Sequence, residues 1–204
     1  MVKNPEILRK GQEAVDKITS GDRLPSFADV GSIPFVDALV RETLRWNPIL
    51  PLSTHAFVLK SLQYIYLNPG VPYQTVQDDE YEGYYIPAGA TVVGNSWAVL
   101  HDEATFGPQP HLFNPERFLK ADGTLNPSII FPDAAFGFGR RICAGNEMAV
   151  SSLWISIACI LSCFDISKAA DEDGNPIEPS GEYTSVIPFR SSAAFDPEIK
   201  VLKS

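Results

Sequence analysis

The segment that most constrains this chain is "FGFGRRICAGNEMA", Phe136 to Ala149, in which a cysteine sits in a glycine-rich bend between two arginines and an apolar helical stretch. A cysteine just ahead of a helix meets N–H groups with no partner inside the helix and the positive end of its dipole, so the arrangement favours a negatively charged sulfur. Gly139 and Gly145 have no Cβ, which lets the backbone bend tightly and a flat group come close. Arg141, two residues before Cys143, is placed to meet an anionic part of such a group, and Phe136 can supply an apolar wall.

The rest of the composition sets bounds. At 204 residues with 45% hydrophobic and 20% charged residues, the chain is ordinary for a globular protein, and a single domain spanning 1–204 is expected. A formal net charge of -9 removes nucleic acid as the main partner, because neutralising phosphates requires clustered Lys and Arg. Cys143, Cys159 and Cys163 are an odd set without repeating spacing, which points away from a disulfide scaffold and toward a reducing compartment. Cys159 and Cys163 have no His nearby and are assigned to core packing, while His55, His101 and His111 lack ligand spacing and are read as structural or surface residues.

The apolar periodicity predicts a helix from Pro5 to Thr19, capped by Asn4, buried through Ile7, Leu8, Ala14, Val15 and Ile18, and ended by Gly21. A second runs from Pro34 to Asn47, with Phe35, Val36, Leu39, Val40 and Leu44 inward, and Pro48 stops it. Pro51 to Gly94 carries short β-like runs, "QYIYL", "YYIP" and "TVVG", in the manner of a small sheet. A helical turn at Ser96 to His101 and an irregular connection from Asp102 to Asp133 lead to the cysteine bend. Ala149 to Phe164 is expected to be the third and most buried helix. It falls short of the roughly 20 residues of a bilayer span, so it is read as core rather than anchor. A peripheral hairpin is expected in the tail. Met1 to Lys10 does not read as a signal peptide.

Phe136, Gly139, Arg141, Cys143 and Gly145 match the haem-binding signature Phe-x-x-Gly-x-Arg-x-Cys-x-Gly of the cytochrome P450 family. Five fixed positions, each at roughly one in twenty, arise by chance in a chain this long on the order of once in ten thousand sequences. "ETLR" at Glu42 to Arg45 resembles the family's Glu-x-x-Arg pair. That pattern is weak alone, since Glu6 to Arg9 repeats it, but only Glu42 to Arg45 precedes "FNPERF" and then the cysteine bend in the family's order. Arg117 of "FNPERF" would complete a charged triad with Glu42 and Arg45. The resemblance runs from about Asn4 to Pro188 and implies an α+β, mainly helical fold, the C-terminal part of the cytochrome P450 fold truncated at its N-terminus. "YEGYYIPAGATVVGN" is most similar to fungal members.

The resemblance implies haem b as cofactor, with Cys143 as axial ligand to the iron and Arg141 on a propionate. It implies a monooxygenase that inserts one atom of dioxygen into a small organic substrate. Electrons would come from an NADPH-dependent reductase docked on the cysteine side, where Arg140 and Lys120 are candidates. Tyr183 to Ile187 resembles the loop that reaches into the substrate pocket. Full-length members sit on the endoplasmic reticulum through an N-terminal anchor; this chain shows none, so an intracellular location is expected. No segment resembles the distal helix that carries the oxygen-activating acid and alcohol, so no catalytic residue is assigned. Ser53 to Gly70 stands as an insertion relative to the family, and an unspliced intron is its expected origin, to be tested on the mature message. Tyr73 and Gln74 stand where the family often places a propionate-binding Arg or His. Two rival readings are a truncated, catalytically inactive haem-binding fragment and a cofactor-free α+β interaction domain.

Overall fold

The computed structural model describes residues 1–49, 73–173, 175–179, 183–186, 189–192 and 198–202. The expected insertion at 53–70, the "QYIYL" run and His55 lie outside the described residues.

Helix α1 spans Pro5–Thr19 and α2 spans Pro34–Trp46, each with proline in its first turn, where a missing N–H costs nothing. Asn4 precedes α1 as expected but does not cap it through its side chain. Its backbone carbonyl instead accepts from Ile7 and Leu8. The left-handed turn that ends α1 begins at Ser20 (φ 55°) and continues through Gly21 (φ 71°). Ile18, expected inward, is 38% exposed; Thr19 takes the buried position and returns its hydroxyl to the Val15 carbonyl.

Helix α3 spans Ser96–Leu100, α4 Glu103–Phe106 and α5 Asn146–Cys163. Two side-chain caps order parts of the expected irregular stretch. Asp102 accepts from the backbone of Thr105 to start α4, and Asn114 accepts from Glu116 to start the 3₁₀ turn Pro115–Phe118.

Helix α5 departs from expectation twice. It starts at Asn146 rather than Ala149, because Gly145 already serves as its N-cap. It is also not the most buried helix, since only Trp154, Ala158, Leu161 and Ser162 of its residues are buried, against six residues in the shorter α2. The sequence of α5 is apolar on all sides, so its composition does not reveal that its described neighbours cover one side only. Among the described residues it is the one helix long and apolar enough to cross a membrane.

Leu8 and Val15 of α1, Ile33, and Val36, Leu39 and Val40 of α2 meet Trp154, Ala158 and Leu161 of α5 in one core. Each Leu, Ile or Val among them contributes about 1.5–3 kcal/mol through its removal from water. A second core joins Ala38 on the other side of α2 to Leu100, Phe106, Phe118 and Ala134. Helix α2 thus lies between both cores, which explains how charged residues near its end become fully buried.

Among the described residues, eight short strands form four antiparallel pairs. β1 (Tyr73–Gln74) pairs with β4 (Thr91–Val92), and β2 (Asp79–Tyr81) with β3 (Tyr84–Ile86). Glu82 and Gly83 link β2 to β3 with positive φ at both residues, the two-residue turn whose twist suits a hairpin. β5 (Phe164–Ser167) pairs with β8 (Glu198–Val201). In the tail, β6 (Tyr183–Val186) and β7 (Phe189–Ser192) form the expected hairpin.

Candidate functional site

The cysteine bend is built from two 3₁₀ turns, Asp133–Phe136 and Gly139–Arg141, set in front of α5. One hydrogen bond closes it: the N–H of Cys143 donates to the carbonyl of Phe136 at 2.9 Å. Gly139 has φ 63°, a conformation that a side chain would strain, and a Cβ there would meet nothing within 4 Å. Cys143 is exposed and unbonded to any other cysteine. A Cβ on Gly145 would sit 3.8 Å from Cys143 Sγ, so glycine keeps that flank of the sulfur clear.

Phe138, Gly139, Arg140 and Arg141 line an open concavity of about 650 Å³. Both arginines are exposed, and no carboxylate forms an ion pair with either among the described residues. Phe136 lines a separate concavity of about 380 Å³ with Phe131, Asn146, Glu147, Val150 and Ser151. Its carbonyl, meanwhile, accepts from the cysteine. An accessible sulfur, an unfilled glycine bend and unpaired guanidiniums on the rim suit a flat, metal-bearing group with acidic substituents. On these observations the residues present fit a haem.

Near the end of α2, Glu42, Arg45 and Arg117 meet. Arg45 grips Glu42 with two parallel hydrogen bonds, Nε to Oε2 at 2.7 Å and Nη2 to Oε1 at 2.8 Å. Arg117 Nε lies 3.2 Å from Glu42 Oε2. Two guanidiniums share one carboxylate, and the excess charge is met by backbone dipoles. Arg45 Nη1 donates to the Leu100 carbonyl at 3.0 Å, and Arg117 Nη1 and Nη2 donate to those of Phe106 and Gln109 at 2.6 and 3.2 Å. Arg45 and Glu42 are fully buried, and Arg117 nearly so. The other Glu-x-x-Arg copy, Glu6 and Arg9, is a solvated pair on α1.

The triad is joined to the bend through the second core, where Leu100 of α3 packs with Ala134 of the turn ending at Phe136. Of the other residues singled out from the sequence, Lys120 and His111 are exposed, and Gln74 is exposed with its amide donating to the Gly89 carbonyl. Cys159 is half-buried with its sulfur near the Pro25 carbonyl, and burial pushes its thiol up, with Cys163 acting the same way.

Two contributors escaped the sequence reading, and a third, His101, has the structural role expected of it. Asn114 donates its backbone N–H to Glu42, a contact with no side-chain signature. Asp37 accepts from Trp154 Nε1 at 2.8 Å and ties α2 to α5. His101 stacks on Trp97 beside the triad. A polar residue on an otherwise apolar helix face was the available signal for Asp37.

Comparison with known proteins agrees with this geometry. A family model for cytochrome P450 matches residues 1–188. The chain belongs to the cytochrome P450 family, whose members are built around a haem. Among curated relatives, it is 42% identical over 184 residues to cytochrome P450 monooxygenase 98 of Postia placenta, covering 90% of this chain and 32% of that protein. It is 44% identical over 184 residues to cytochrome P450 monooxygenase ple1 of Rhodocybe pseudopiperita, with 90% and 32% covered. Tryptamine 4-monooxygenase of Psilocybe cyanescens is 39% identical over 187 residues, with 91% and 33% covered. The chain thus spans about a third of the length of the fungal relatives it matches.

Proposed function

We propose that this chain supplies the proximal half of a haem-thiolate monooxygenase site, with Cys143 as the axial ligand to the iron of haem b. The observation that carries the reading is the exposed sulfur of Cys143, held by the Phe136 carbonyl beside a concavity with Arg140 and Arg141 on its rim. A thiolate-ligated haem, when bound, supplies the activation of dioxygen for insertion of one oxygen atom into an organic substrate.

The residues of this chain have definite parts in that reading. Cys143 contributes the sulfur, and the hydrogen bond from its own N–H fixes the peptide beneath it. Gly139 and Gly145 keep both sides of the bend free of side chains. Arg141 pairs with a propionate, which a bidentate guanidinium suits better than an ammonium. Glu42, Arg45 and Arg117 hold α2, α3 and the Pro115–Phe118 turn in one arrangement and so position the bend without touching the cofactor. Arg140 and Lys120 offer exposed positive charge to an NADPH-dependent reductase on the cysteine side. The substrate is a small organic molecule.

The test is a carbon monoxide difference spectrum of the reduced, haem-reconstituted chain. A Soret band at the thiolate position is expected, and a band at the position of an imidazole-ligated or unligated haem refutes the assignment of Cys143. The same preparation separates a second reading, a haem-binding polypeptide without turnover. A thiolate Soret band without substrate oxidation in the presence of reductase and NADPH would select that reading.

A further inference from the structure

His101 follows the last residue of α3 and stacks on Trp97, with ring centroids 3.8 Å apart and planes 19° apart. Its Nδ1 lies 2.9 Å from the Trp97 carbonyl, which can only accept, so Nδ1 carries the proton and Nε2 presents a lone pair. That Nε2 is buried and has no hydrogen-bond partner among the described residues. The preceding residue, Leu100, gives its carbonyl to Arg45.

The charged groups around the ring are those of the triad: Arg45 and Glu42 of α2, with Arg117 bridged to Glu42. Asp102, next in the chain, is turned onto Thr105, and Asp133 of the adjoining turn is exposed. Two guanidiniums against one carboxylate leave the joint with an excess of one positive charge. An imidazolium would add a second at a place where Nε2 cannot reach water.

We propose that His101 is the acid-sensitive part of a latch between α2 and α3: the Arg45 hydrogen bond to the Leu100 carbonyl holds α3 to the end of α2 while His101 is neutral, and protonated His101 releases it. Release has a route to the cysteine bend, because Leu100 and Ala134 share a core and the turn containing Ala134 ends at Phe136, the acceptor for Cys143. The latch itself rests on α2 and α3 alone and does not depend on haem ligation.

Burial pushes the His101 pKa down and Arg45 adds to this, outweighing the carbonyls of Trp97 and Trp46 and the Glu42 carboxylate, which act the other way. The folded value therefore lies below the unfolded one. The stabilisation is complete above the unfolded value of about 6.5 and is lost as pH falls through it toward the folded value.

The experiment combines imidazole ¹⁵N shifts, amide-exchange protection at Leu100 and urea unfolding of the chain between about pH 7.5 and 5.5, a window that brackets an ordinary histidine. The expected result at neutral pH is a neutral His101 with Nε2 unprotonated, which stays neutral in acid after the exposed His111 has titrated. Leu100 protection and the urea midpoint both fall with acid. His101→Phe keeps the stack, His101→Gln keeps a donor for the Trp97 carbonyl, and both lose most of that fall. A charged His101 at neutral pH, absent protection of Leu100 at every pH, or an undiminished fall in both variants overturns the latch. Where neither variant folds, the shifts of the unaltered chain decide. No readout involves haem, so failure here leaves the assignment of Cys143 standing.

Discussion

Asn114 donates its backbone N–H to Oε1 of Glu42 at 2.7 Å across 72 positions of sequence, so the carboxylate organises a loop as well as two arginines. This fixes what a change at Glu42 removes. Glu42→Gln leaves two buried guanidiniums without a counter-charge, and breaking a buried pair in this way costs about 3–5 kcal/mol. Arg45→Lys keeps the charge but loses the planar fork that serves Glu42 and the Leu100 carbonyl together. Both variants are expected to unfold at markedly lower urea by circular dichroism. A loss within the roughly 0–1 kcal/mol typical of solvated pairs would mean that the triad is not closed in solution.

Gly11 of α1 lies against Leu161 of α5. A Cβ added there would lie 2.9 Å from Leu161 Cδ1 and 3.5 Å from Leu39 Cδ1, both in the packed core. Alanine gains up to about 1 kcal/mol of helix propensity over glycine, which offsets part of the crowding, so Gly11→Ala should fall close to the unaltered protein. Gly11→Val adds branched volume against the same atoms and should lose about 1–3 kcal/mol. Thermal melts of the two variants distinguish them, and equal losses would point to a looser contact between the helices.

Asp37 contributes a pH dependence of opposite sign to that of His101. Burial raises its pKa, only partly countered by the Trp154 N–H and by Arg41, and Oδ2 is buried without a partner. A carboxyl whose folded value is raised stabilises the fold fully below its unfolded value, near 3.9, and loses that contribution as pH rises through the folded value. Asp37→Asn retains an acceptor for Trp154 and removes the titration. Unfolding free energies measured from about pH 4 to 6 should fall more steeply with pH in the unaltered chain than in the variant, and parallel lines would contradict the buried placement of Oδ2.

Legibility in the sequence followed the range of the interaction. Proline at the starts of α1 and α2 acts within a few residues, and the first two helices emerged close to their observed bounds. The meeting of Glu42, Arg45 and Arg117 was legible only through the family's ordering of motifs, because its other contacts are backbone groups that any residue could present. Helix α5 misled for a different reason. Apolar residues on all sides imply burial only when neighbours cover every side, and periodicity does not reveal how many neighbours there are. The caps Asp102 and Asn114 were visible but were absorbed into a stretch read by its Pro and Gly content.

Cys143 and Arg141 separate ligation from folding. Both are exposed and make no core contact, so Cys143→Ser and Arg141→Ala should each change unfolding free energy by no more than about 0.5 kcal/mol. Their effects on haem differ in kind. Under the proposed assignment, replacing the sulfur removes the ligand, so Cys143→Ser should abolish the thiolate Soret band while the protein remains folded. Removing the guanidinium takes away a charge-assisted hydrogen bond of about 1.5–3 kcal/mol, equivalent to roughly ten- to a hundredfold in affinity. Arg141→Ala should therefore retain the thiolate band at saturating haem but require that much more haem in a titration. A variant that binds haem as tightly as the unaltered chain would move the propionate contact to Arg140, which lies on the same rim.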